Sequence, residues 1–362
     1  RGKTLMSETL KYYIAFNNGM KIMRGKGASF TEVGEFFHGK TLEHLMGCRQ
    51  NPEIVFAAVA FDGGYRTEDG GQSWQKIIEG DVRTFTVDPH DERVVYAGVG
   101  PISLLRSEDK GVSWESLDNL LELPEEVKQQ WSVPPDYRNI VPPHVRHIFI
   151  HPDDPNLIYV ALEHGGIVLS RDRGQSWEDV STGIDYLDMH MLKNLPGEKN
   201  HYFVSSARGF FKTENGGQIW QRVETGMPWA YTEYYSYSHE WLFCNSGPLR
   251  MVLGGAKGSP GVWRRENIKP GGHILVSDDK GLNWHSASNL PDSMQWVPWV
   301  LLHHPTEPTT IFAGMGDGAR GFGFDPKERG EGGFYTSTDR GDTWECVLSG
   351  LPSVLTAWVA SS

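Results

Sequence analysis

The sequence is poor in cysteine: Cys48, Cys244 and Cys346 are its only three, widely spaced and without a Cys-x-x-Cys pair. That excludes a disulfide-dense scaffold and a cysteine-ligated zinc module, and it makes a reducing, cytoplasmic setting the expectation. Positive charge is also short, with 34 Lys and Arg against 46 Asp and Glu and a formal net charge of −12. A nucleic-acid or anionic-membrane surface needs a basic patch to displace counterions, so neither partner is expected. The opening RGKTLMSETLKYYIAF lacks the apolar run of a signal peptide, and no later window reaches the length of a membrane span. Met6 reads as a native start, with residues 1–5 an added leader.

Glycine and aromatic residues are plentiful, and they fall in a recurring string. TEDGGQSW (67–74), SEDKGVSW (107–114), SRDRGQSW (170–177), TENGGQIW (213–220), SDDKGLNW (277–284) and STDRGDTW (337–344) share one pattern. MRGKGASF (23–30) is a degenerate seventh copy that has lost its acid. A hydroxyl and a carboxylate that bond turn amides, a glycine free to take positive φ, and an aromatic ring that packs between sheets together describe a tight hairpin turn. Around each string the chain reads as four strands, A to D, as in VRHIFIHP, NLIYVALEHG, GIVLSRDRG and QSWEDV. Units of this kind stack radially. The N-terminus opens on a B-like strand and the C-terminus ends on SVLTAWVASS, an orphan A strand that would complete the first blade.

These strings resemble the Asp-box, S/T-x-D-x-G-x-S/T-W, of BNR-repeat propellers. The expected fold is therefore all-β: one seven-bladed propeller over residues 6–362, blade 1 combining 11–36 with 353–361. Insertions at 115–142, 256–272 and 316–332 fall in D-to-A or B-to-C connections, which emerge on one face. The first contains LPEEVKQQW, a short helix by its pattern. The box itself is a structural clasp, so function has to be sought elsewhere.

Strand A faces a propeller's channel. Twelve residues ahead of the strand-B anchors Phe56, Tyr96, Tyr159, Tyr202, Met251 and Phe312 stand His44, Thr84, His147, His190, His239 and Val300. The orphan strand offers Trp358. Four histidines, His44, His147, His190 and His239, would then share one channel position and suit a transition metal. Strict alternation in YTEYYSYSHEWLF sets His239 on one face with Tyr237 and Trp241, whereas a one-residue slip would hand the place to Glu240. Nearer the mouth, the same count gives Leu42, Val82, Val145, Asp188, Tyr237, Pro298 and Thr356. Leu42, Val145, Trp241, Trp299 and Trp358 would line a pocket for a small apolar or aromatic substrate. Asp188 reads as a base, a metal ligand or a hydrogen-bond partner, with Tyr237 beside it. His144 would line the mouth, and His303 and His304 would lie at the surface.

The histidine placement is similar to the four-histidine iron centre of carotenoid cleavage dioxygenases, which are seven-bladed propellers. That resemblance implies Fe(II), with copper or zinc as other candidates, dioxygen as co-substrate, an oxygenase or lyase activity, and Glu163 as a residue that orients a ligand. Two other readings stand beside it. Glycoside hydrolysis, known among BNR-repeat enzymes, needs two carboxylates flanking a cleft. Asp188 and Glu233 are available, yet nothing in the sequence pairs them, and no sialidase-type FRIP string is present. A non-catalytic scaffold would use the tyrosine-rich strand and the insertions as a docking mouth for a protein or ligand.

Overall fold

The computed structural model describes residues 8–26, 29–132, 142–223, 227, 237–244, 247–291, 296–317 and 330–361, without the side chains of 237, 239, 264 and 265. The described strands form seven antiparallel sheets of four strands each. Six are built from consecutive strands, and the seventh joins the C-terminal strand Val354–Ser361 to Leu10–Phe16, Gly19–Lys26 and Ser29–Phe36. The fold class is thus the seven-bladed β-propeller, with the last strand completing the N-terminal blade. The chain divides into two compact units, Arg1–Val55 with Thr67–Trp74 and Glu224–Ser362, and Phe56–Arg66 with Gln75–Val223.

The boxes form the turns between strands C and D for the reason their composition suggests. In TEDGGQSW the Thr67 hydroxyl donates to Asp69 Oδ1 at 2.7 Å and accepts the buried Gly71 N–H at 2.8 Å. Asp69 in turn accepts the Ser73 N–H at 2.9 Å and the Ser73 hydroxyl at 2.6 Å. Gly71 has φ +90°, a conformation open to glycine. The same bonds recur at Ser107–Asp109–Ser113, Ser170–Asp172–Ser176 and Ser337–Asp339–Thr343. Asn283 replaces the second hydroxyl in another copy. In the fifth blade Asn215 and Ile219 keep the bonds of Thr213 and of the Ile219 N–H to the Asn215 amide oxygen, and the bond from a second hydroxyl is lost. The turn of the degenerate copy, at 27–28, lies outside the described residues.

In the first unit, Tyr12 is fully buried and meets Phe30, Phe312 and Phe334 edge-on at 5.1 to 5.9 Å between ring centres. In the second, Tyr96, Val145, Ile148, Val160 and Leu162 share a core with Leu120 and Leu123. Those two leucines come from the 115–142 insertion, whose helix spans Glu125–Lys128. A second helix, Pro260–Glu266, occupies the 256–272 insertion and was not legible in the sequence. It starts on a proline, suited to a first turn that needs no N–H donor, and sets the ring of Trp263 against Trp299. Residues 133–141 and 318–329 of the insertions lie outside the description. His304, expected at the surface, is instead 4% exposed. Its Nδ1 accepts the Thr306 and Glu307 amides, and its ring stacks on Phe312.

Candidate functional site

The A strands carry a shared irregularity that decides which side chains line up. The ladder skips a residue between Val82 and Thr84, between Val145 and His147, and between Pro298 and Val300. It skips likewise between Met189 and Leu192 and between Ser238 and Trp241. Bulges of this kind re-aim side chains. Beyond the skip, Phe85, Ile148, Leu192, Trp241 and Leu301 pair with Ala97, Val160, Val204, Leu253 and Ala313. The residues just before them are Thr84, His147, Met191, Glu240 and Val300. His190 and His239 therefore stand one residue out of register with His147, and the four histidines do not share one strand position.

The cause lies in the anchors. Box residues Ser170, Thr213 and Ser277 pair with Ile158, Tyr202 and Met251. Tyr202 and Met251 are thus equivalent to Ile158, and the counterparts of Tyr159 are Phe203 and Val252. In strands buried on both faces an apolar residue occupies either parity, so the anchors slipped by one.

The same slip brings Asp188 level with His144. His144 pairs with Glu163 at the ends of strands A and B of the fourth blade, while the Asp188 carbonyl accepts the Ala207 N–H at the corresponding end of the fifth. The turn after Glu163 is pinned onto the segment entering the fifth blade, because Gly165 and Gly166 both donate their N–H to Leu187 O, at 2.8 and 3.0 Å. Gly166 has φ +82°, and a Cβ there would stand 2.2 Å from Ser181 Oγ, so the close approach requires glycine. A Cβ on Gly165 would stand 3.1 Å from Trp131, which the first insertion contributes. His164, the residue held by this turn, takes φ +63°, a strained value for a side chain of its size.

A compact polar cluster results within the second unit. One ligand-type atom from each of Glu163, His164 and Asp188 lies within 4.8 Å of the others. His164 Nδ1 is 3.7 Å from Asp188 Oδ2, and His190 Nε2 is 3.6 Å from Asp188 Oδ1. Asp188 is 8% exposed, and its Oδ1 is enclosed without a hydrogen-bond partner among the described residues. Glu163 is braced from the other side by His144 Nε2 at 3.2 Å and Arg146 Nε at 3.7 Å. His144 is itself fixed by a 3.0 Å bond between Nδ1 and Pro142 O. Burial pushes the Glu163 carboxyl up, but His144, Arg146 and His164 together hold it well below the usual carboxylate range. It is an ionised acceptor and unsuited to act as a general acid.

The other expected site residues are placed as follows. His147 accepts the Leu192 N–H on Nδ1 at 3.4 Å, a tie between neighbouring A strands. His44 lies in the strand Leu42–Gly47 of the first unit. His239 and Tyr237 lie in the strand Tyr237–Cys244, their side chains outside the described set. Leu42, Val145, Trp241 and Trp299 are at most 1% exposed and belong to packing. Val145 closes on the bare backbone of Gly98, Trp299 on Trp263, and Trp358 on Gly47. Glu233 lies outside the described residues. His164 was missed because it is a single residue in a turn; the string EHGG, with its paired glycines, was the available signal.

A concavity of about 660 Å³ lies in the first unit. Phe16, Lys21, Glu35, Phe36, Trp296 and Glu331 are among its walls. Lys21 holds Glu32 at 2.8 Å and Glu35 at 2.6 Å.

No protein-family model matches the sequence, and no curated protein does. Solved structures do match in fold. The GH74 xyloglucanase from Xanthomonas campestris aligns with a TM-score of 0.61 at 15% identity, over 85% of this chain and 45% of its own. The GH74 enzyme of Niastella koreensis aligns at 0.62 and 14%, over 86% and 46%. YCF48 bound to D1 peptide aligns at 0.51 and 17%, over 85% and 82%. The chain spans less than half the length of the GH74 enzymes it matches. At these identities the likeness establishes the propeller fold.

Proposed function

We propose that the protein is a metal-dependent enzyme whose ion is held by Glu163, His164 and Asp188, with His190 adjoining. The observation that carries this reading is the enclosed Asp188 Oδ1, which has no hydrogen-bond partner among the described residues and stands 3.6 Å from one imidazole of a tight acid–imidazole cluster. Separations of 3.6 and 3.7 Å are too long for hydrogen bonds. They are near the roughly 3.4 Å expected between two donors of a tetrahedral ion with bonds of about 2.0–2.1 Å. Imidazole with carboxylate suits zinc, iron or manganese. Such an ion supplies a Lewis acid that polarises a carbonyl or activates water. His144 and Arg146 keep Glu163 ionised and oriented, the task of a support behind a ligand. The expectation of a four-histidine iron oxygenase is not carried forward, since His190 and His239 stand one residue off the strand position of His147.

Metal analysis of untagged protein supplied with zinc, iron and manganese tests the reading. About one ion per chain is expected, lost in His164→Ala and Asp188→Asn variants that still fold. A folded wild type that takes up none of the three refutes it.

A second reading, glycoside hydrolysis or saccharide binding, is supported by the concavity of the first unit, where Glu35 and Glu331 are two wall carboxylates beside Trp296. The fold shared with two GH74 enzymes gives it weight by analogy alone. Turnover of glucan oligosaccharides in the presence of chelator, abolished by Glu331→Gln, would favour it over the metal reading.

A further inference from the structure

The concavity of the first unit, about 660 Å³, lies within the size range that encloses a single small molecule. Three aromatic rings, Phe16, Phe36 and Trp296, share its walls with the carboxylates of Glu35 and Glu331. Lys21 is the one lysine or arginine among its described walls. Its charge is already matched. Glu32 and Glu35 hold the ammonium at 2.8 and 2.6 Å, and both bonds raise its pKa, so it stays a bound cation and not a receptor for anions. Glu331 is left over. Its side chain is exposed, and among the described residues it has neither a hydrogen bond nor an ion pair. Its backbone is fixed: the Glu331 carbonyl accepts the Asp317 N–H at 2.9 Å, and a Cβ on neighbouring Gly332 would stand 2.4 Å from Pro352 O. Trp296 is held as firmly. Its ring meets Tyr335 edge-on with 6.4 Å between centres, and a Cβ on Gly333 would stand 3.4 Å from its Cζ3.

An unmatched carboxylate in an aromatic-walled hollow, on a chain of formal net charge −12, sets a negative potential there, and apolar walls focus it. The ring faces favour the same sign of ligand, because their quadrupole attracts a cation within about 6 Å of the ring centre. We infer that the concavity takes a small organic cation, an alkylammonium, with Glu331 as its counter-ion and Trp296 as the ring against which it packs. The inference goes beyond the saccharide reading of the same concavity, which concerns hydroxyl groups and not charge, and it does not depend on the metal reading.

Benzylammonium and benzyl alcohol, alike in shape and different in charge, are the probes, with a glucan oligosaccharide titrated beside them. Ligand-observed NMR of the wild type at pH 7 and low salt should show benzylammonium binding more tightly than the alcohol by about tenfold, the equivalent of about 1.4 kcal/mol. Glu331→Gln should weaken benzylammonium by about fivefold, in line with one charge contact at a partly exposed site. It should leave benzyl alcohol unchanged, and Glu331→Asp, which keeps the charge, should retain most of the preference. Equal affinity of the two probes for the wild type, or a preference indifferent to Glu331→Gln, overturns the inference. Oligosaccharide binding in that event leaves the saccharide reading standing. Ammonium selectivity that depends on Glu331, in a protein that binds no oligosaccharide, sustains the cation site alone.

Discussion

Replacing Thr67 by valine keeps the shape of the side chain and removes one hydroxyl, and the consequence can be worked from the turn it closes. That hydroxyl accepts the buried Gly71 N–H at 2.8 Å and donates to Asp69 at 2.7 Å. Leaving a buried N–H unpaired costs about 1–3 kcal/mol, and losing the donor to the carboxylate adds about 1 kcal/mol. The expected loss at pH 7 is about 2–4 kcal/mol, read from urea unfolding curves of wild type and Thr67→Val. The loss should depend on pH. Burial raises the Asp69 carboxyl, but bonds from Ser73, Thr67 and Gln72 outweigh it and lower the pKa to about 2. A depressed acid contributes stability that is full above its unfolded value near 4 and fades as pH falls towards the folded value. Thr67→Val lets that pKa rise, so the gap between variant and wild type should narrow from pH 5 to pH 2. A loss under about 0.5 kcal/mol at pH 7, or a gap that widens with acid, would refute the assignment of the box as a clasp held by this hydroxyl.

Other outcomes follow from the packing. A Cβ on Gly98 would stand 2.4 Å from Val145 Cγ1 and 2.8 Å from Thr84 Cγ2. Gly98→Val should therefore destabilise by about 1–3 kcal/mol, with Val145→Ala restoring part of it in the double variant, as urea midpoints would show. Cys48 and Cys244 are buried and Cys346 is exposed, with burial pushing the Cys244 thiol up to about 11. At pH 8 a disulfide reagent should reach only Cys346 in the native protein, and the other two after denaturant. In the fifth blade, Asn215→Asp combined with Ile219→Ser should rebuild the missing half of the box and raise stability by up to about 1 kcal/mol, measured by the same unfolding assay.

Much of the architecture was written locally. Each box carries its own turn chemistry within eight residues, so blade number, strand order and the closing role of the C-terminal strand could be read without knowing where any blade sits. The candidate site was only half legible. Asp188 and Glu163 stood out as acids at strand ends, but His164 gave no periodic signal, and the histidine column was miscounted in the fifth and sixth blades. Tyr202 and Met251 look like the anchors Tyr96 and Tyr159, yet each pairs one position later on strand C, with the first box residue rather than the one before it.

The sequence by itself determined the propeller, because hairpin turns and alternating strands are short-range matters of hydrogen bonding and parity. Only the tertiary structure decided which side chains meet. A bulge moves a side chain across a strand without altering its hydrophobic pattern. The bonds from Gly165 and Gly166 to Leu187, which set His164 beside Asp188, join residues of different blades that no local preference brings together.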